Sequence, residues 1–171
     1  MDKMEALKSK LPFPLYNDRE ILCVFINGKR LDEILTESVN KNYLGLVPAW
    51  LDWYDEDYQP SLKEKQYVWE QTKLEGSIKI LPILLCPDDF DFDCTIVVVE
   101  VIDNGDTVIW NRFGIDESEG RPPDIYDKSK QVDLSKYFGI KVRWFPNINK
   151  FVFHKTEYIA CVKVFGLERS E

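Results

Sequence analysis

"SIKILPILLCPDDFDFDCTIVVVEVIDNGDTVIWNRFGI", residues 77–115, decides the fold. It contains three runs rich in Ile, Val and Leu: 77–86, 94–102 and 106–115. β-Branched side chains suit a pleated sheet better than a helix, so each run is expected to be a strand. Asn104-Gly105 separates the second run from the third. Those two residue types tolerate the positive φ of a two-residue hairpin turn. The first two runs are joined by "CPDDFDFDC", residues 86–94, in which two cysteines bracket four aspartates and two phenylalanines.

Working outward, "REILCVFINGKRL" (19–31) reads as a strand and a tight turn at Asn27-Gly28, then a second strand or a short helix through "LDEIL". Residues 1–14 read as a loosely packed or helical lead-in ended by Pro12 and Pro14. Residues 39–60 lack a clean period and read as a long surface connection with one short helix. "SLKEKQYVWEQTKLEG" (61–76) is the clearest helix, with Ser61 as cap, Glu64 at the capping-box position and Gly76 as stop. Residues 116–131 are polar and carry Gly and two prolines, hence a loop. "GIKVRWF" (139–145), "NKFVFH" (149–154) and "EYIACVKVF" (157–165) read as closing strands. The expected class is α+β: one globular domain over residues 1–171, a twisted, mainly antiparallel sheet, and a few helices packed mostly on one face.

Acidic residues outnumber basic ones 30 to 22, a formal charge of −8. A nucleic-acid binder needs a basic footprint, so that class is excluded, whereas a basic protein partner suits the charge. No signal-like apolar segment opens the chain, and no apolar run is long enough for a bilayer. The expectation is a cytoplasmic protein whose four cysteines are thiols. Cys23, Cys86 and Cys161 lie in apolar runs, and Cys94 stands at a strand entry.

The acidic turn admits several chemistries. Asp89, Asp91 and Asp93, with Glu100, match positions one, three, five and twelve of a calcium loop. Cys94 stands where that loop needs Gly, and a strand sequence follows. Zinc would require distant cysteines, since the chain has one histidine and no C-x-x-C. A Cys86–Cys94 disulfide is conceivable across the hairpin, but a reducing compartment opposes it. Clustered carboxylates can separate one another's pKa values for acid–base work, given a pocket. The bland alternative is a solvated turn whose charges block edge pairing. His154, at a strand end, has no nucleophile beside it in sequence, and no hydrolase, zincin, phosphate-loop or dinucleotide fingerprint occurs.

A second candidate surface is "AWLDWYDEDYQP" (49–60), where aromatic and acidic residues interleave. Aromatics with a charged rim are the usual composition of protein-binding hot spots, although the same rings suit a core-anchored loop.

"LPILLCPDDFDFDCTIVVVEV", followed by "VIWNRFGID" and by "RWF", "FVFHKTEY" and "VF", resembles small, uncharacterised, immunity-protein-like proteins of Firmicutes-type bacteria encoded beside polymorphic toxins. The resemblance covers the middle and final thirds. It implies a cytoplasmic, non-enzymatic inhibitor of one cognate toxin and carries over no binding residues. The residues themselves nominate Asp88, Asp89, Asp91 and Asp93 as charge contacts, with Trp53, Tyr54, Asp55 and Asp57 as anchor and rim. No cofactor, metal, nucleic acid or membrane is expected. Two alternatives stay open: a small metal-dependent or acid/base hydrolase using the turn, and a regulatory or scaffold subunit.

Overall fold

The computed structural model describes residues 1–12, 19–53, 57–88, 90–118 and 120–166. A small antiparallel sheet is built from β1 (Met4–Lys10), β2 (Glu20–Ile26) and β3 (Lys29–Arg30), in that order. A larger one contains β4 (Val47–Pro48), β5 (Ile78–Leu85), β6 (Ile96–Asn104), β7 (Thr107–Asp116), β8 (Val142–Trp144) and β9 (Phe151–His154). Its order is β4-β5-β6-β7-β8, and β9 also pairs with β7. The helices are α1 (Leu31–Ser38), α2 (Gln59–Thr72) and α3 (Lys155–Val164). The chain is α+β, with a mostly antiparallel, twisted and unclosed sheet. No helix among the described residues is long and apolar enough to cross a membrane.

The two central hairpins follow the sequence. β5 pairs with β6 through Ile78↔Ile102 to Leu85↔Ile96, and β6 with β7 through Asn104↔Thr107 to Val97↔Ile115. The turn is shifted by one residue from the expected Asn104-Gly105: Asn104 closes β6 opposite Thr107, and Gly105, at φ +80, forms the two-residue turn with Asp106, so a positive φ is needed only at its first position. Gly114 has a packing role instead. A Cβ there would lie 2.7 Å from both the Arg143 carbonyl and the Val142 side chain, so glycine permits the β7–β8 approach.

Three segments depart from the sequence reading. The N-terminal lead-in is a full strand: β1 pairs residue by residue with β2, from Met4↔Ile26 to Lys10↔Glu20. The Asp2 amide donates to the Val152 carbonyl at 2.9 Å, and its carboxylate accepts from the Val152 amide at 2.7 Å. These bonds tie the start of the chain to β9. The connection at 39–60 is not confined to the surface. Ala49 and Trp50 are fully buried, and the Trp50 indole donates to Thr72 Oγ1 at 3.0 Å. The final "strand" is α3. Tyr158, Cys161 and Phe165 are buried, a 3-and-4 spacing that selects one helix face, while Ile159 and Ala160 are exposed.

Trp50 joins the layers. Its ring meets Trp110 of β7, Tyr158 of α3 and Phe165, with centroids 6.2, 6.0 and 5.6 Å away. Tilted and edge-on contacts of this kind add about 0.5–1.5 kcal/mol each beyond area burial.

Candidate functional site

α2 begins with Pro60 in its first turn, where a missing N–H costs nothing. Tyr58 is the N-cap and gives no side-chain cap, so Ser61 is not the cap that the sequence suggested. Ser61, Glu64, Lys65 and Val68 are instead the inward face of the helix, together with Tyr67. Two charged side chains therefore point into the protein, and each has found partners.

Glu64 is gripped by Arg121 from the Pro-rich loop. Arg121 Nε donates to Oε2 at 2.8 Å and Nη2 donates to Oε1 at 3.0 Å, a bidentate pair. The side chains are 2% and 6% exposed. Glu64 Oε1 also accepts the Phe92 amide of the acidic turn at 3.1 Å. Burial raises the Glu64 pKa to about 7, against the opposing pull of Arg121 and the Phe92 N–H. Burial works against the Arg121 charge as well, but Glu64 outweighs it and the guanidinium is held more firmly protonated than usual.

The same guanidinium reaches the turn directly. It lies 3.4 Å from Asp91 Oδ2 and 2.9 Å from Asp93 Oδ2, and Nη1 donates to the Tyr58 hydroxyl at 3.0 Å. Fully ionised, three carboxylates against one guanidinium leave two negative charges uncompensated. Within the turn the Phe90 amide donates to the Cys86 carbonyl at 2.9 Å, and the Asp93 amide to Asp91 Oδ1 at 2.9 Å. Phe90 adopts φ 48, a left-handed conformation that a bulky residue rarely takes. Packing holds it there: its ring meets Trp53 at 5.2 Å and lies 4.6 Å below Lys65 Nζ. Phe92 sits between Phe138 at 4.5 Å and Tyr67 at 6.0 Å.

Lys65 is buried and donates to the Ala49 carbonyl at 2.8 Å and to the Leu51 carbonyl. Burial lowers its pKa to about 7, offset in part by Asp52. A void of about 10 Å3 lies beside Glu64 and Lys65.

The sequence candidates are therefore placed differently. Asp88 is exposed, and Asp93 is 57% exposed although paired. Asp91 is buried against Arg121 and is not a surface charge, so the turn is not a freely solvated tip. Burial raises the Asp91 pKa, with the Asp93 amide and Arg121 opposing. Trp53 is half-buried on Phe90, and Asp57 is exposed. Asp89, Tyr54 and Asp55 lie outside the described residues. Glu100, the twelfth position of the calcium-like spacing, is on β6 and accepts from Asn111 at 2.8 Å and Arg112 at 3.0 Å. Sequence reasoning missed Glu64, Lys65 and Arg121. The available signal was a Glu-Lys pair falling on the helix face that also carries Val68.

The chain matches no protein-family model, no curated protein and no solved structure.

Proposed function

We propose that this is a non-enzymatic binding protein of the immunity type, a cytoplasmic inhibitor of a cognate bacterial toxin with a basic contact surface. One observation carries the proposal: the acidic turn is clamped from below and charged above. Phe90, Asp91 and Phe92 anchor it inward, while Asp88 and Asp93 remain at the surface. A segment ordered before contact pays less conformational entropy on binding. Exposed carboxylates steer a basic partner and raise its association rate. Trp53, packed on Phe90, supplies an aromatic element in contact with the turn, and Asp52 and Asp57 are exposed.

The buried Glu64 and Lys65 favour this over acid–base hydrolysis. Both side chains are committed to protein partners, and a void of about 10 Å3 holds no substrate. The test is co-expression with the product of a neighbouring toxin gene. Co-purification and rescue of growth support the proposal. Failure of both, with the toxin active, contradicts it.

A further inference from the structure

α2, the 128–135 segment and α3 enclose an open groove of about 1140 Å3, and no residue of the acidic turn is among its lining residues. Its walls carry Lys63, Lys73, Lys128, Lys130 and Lys163, against Glu70 and Asp133 among the lining residues. A further lysine, Lys155, is bound to Asp103 at 3.0 Å. This local excess of positive charge sits in a chain of formal charge −8. Lys63 Nζ donates to the main-chain carbonyls of Asp124 and Asp127, and its charge also acts on the Asp127 carboxylate. Lys73 and Lys130 form exposed pairs with Glu70 and Asp124, and such pairs are weak. Between the lysines the lining mixes apolar side chains with glutamines, a threonine and a serine. Leu62, Trp69, Val132 and Val162 are half-buried there, and Ile159 is 37% exposed.

A groove between two helices and a connecting segment, with apolar positions flanked mainly by lysines, suits helix-in-groove recognition. We infer that this groove docks an acidic amphipathic segment of a partner protein, with apolar residues on Trp69, Ile159 and Val162 and carboxylates facing the lysines. Charge complementarity selects the occupant, because lysines outnumber carboxylates six to two among the lining residues. A nucleic acid would satisfy the lysines but brings no aliphatic surface for the channel, and the field of the whole chain opposes it. The inference is independent of the immunity proposal, since it uses neither Asp88 nor Asp93.

The test is fluorescence anisotropy of the full chain with a labelled synthetic peptide of Leu and Glu, leucines at i, i+3, i+4 and i+7. Two controls are the same peptide with Lys for Glu and a single-stranded oligonucleotide. Saturable binding of the Glu peptide alone is expected. Lys128→Glu with Lys130→Glu should weaken it by about tenfold, as should Ile159→Asp. Asp88→Asn with Asp93→Asn should leave it unchanged. The inference is overturned by no binding, by equal binding of the Lys peptide, by preference for the oligonucleotide, or by indifference to the groove substitutions.

Discussion

Arg121 holds Glu64 through two parallel hydrogen bonds of 2.8 and 3.0 Å, bridging residues 57 positions apart in sequence. Because Glu64 also accepts the Phe92 amide, the pair fixes α2, the Pro-rich loop and the acidic turn to one another. Removing one partner leaves the other buried and uncompensated. Arg121→Ala should therefore destabilise by about 3–5 kcal/mol. Glu64→Gln should cost less, because Arg121 keeps Asp91 and Asp93. Urea unfolding of the two variants decides this. A change in Arg121→Ala no larger than that of an ordinary surface substitution would remove the clamp from the account.

Within the turn, neighbouring aspartates should behave differently. Asp91 accepts the Asp93 amide and faces Arg121, so Asp91→Ala should destabilise by about 1.5–3 kcal/mol, the range for a hydrogen bond to a charged group. Asp88 is exposed, and Asp88→Asn should stay within about 0.5 kcal/mol of wild type. Thermal melts of both variants test the contrast. Equal effects would mean that Asp91 is not an anchor.

Lys65 sets a pH dependence with a definite sign. Its pKa is about 7 in the folded chain against 10.5 for an ordinary lysine, because burial penalises the ammonium. Between those values the unfolded chain binds more protons, so this group makes stability rise with pH from about 7 to about 10.5. Below about pH 7 both states are protonated and the full cost of burying the charge is present. Lys65→Met removes that slope. The stability of the variant minus that of wild type should fall steadily as pH is raised through this window, as followed by urea midpoints. A constant difference would show that Lys65 keeps an ordinary pKa in the fold.

The central hairpins were legible because two signals agree there: Ile- and Val-rich runs, and a turn glycine, Gly105, between β6 and β7, although the turn pair is Gly105-Asp106 and Asn104 belongs to β6. β1 was not legible. "MEALKSK" is made of good helix formers, and its strand is imposed by seven pairings with β2. α3 failed for the converse reason. "YIACVKV" is locally strand-like, and only the buried positions Tyr158, Cys161 and Phe165 reveal the helical period. In the candidate site the acidic turn and Trp53 were visible as composition. The clamp was not, since Glu64 read as a cap partner and Arg121 as one more residue of a polar loop. An ion pair between distant segments leaves no local pattern.

The cysteines should separate by reactivity. Burial pushes the Cys23 and Cys161 thiols up to about 12, and burial together with contact to Cys94 pushes Cys86 up to about 11. Cys94 is exposed. Alkylation of the native protein, read by peptide mass, should label Cys94 first and Cys86 more slowly. Cys23 and Cys161 should react only on unfolding, because the thiolate is the reactive form. Rapid native labelling of Cys23 or Cys161 would contradict the burial of those two side chains in β2 and α3.

The most direct test of the central claim is stopped-flow association of Asp88→Asn/Asp93→Asn with the cognate toxin at several salt concentrations. Asp88 is exposed and Asp93, although paired with Arg121, is more than half exposed, so the account predicts slower association and a shallower salt dependence, with dissociation little changed. An unchanged association rate and an unchanged salt slope would contradict it, and the clamped turn would then not be the surface that meets the toxin.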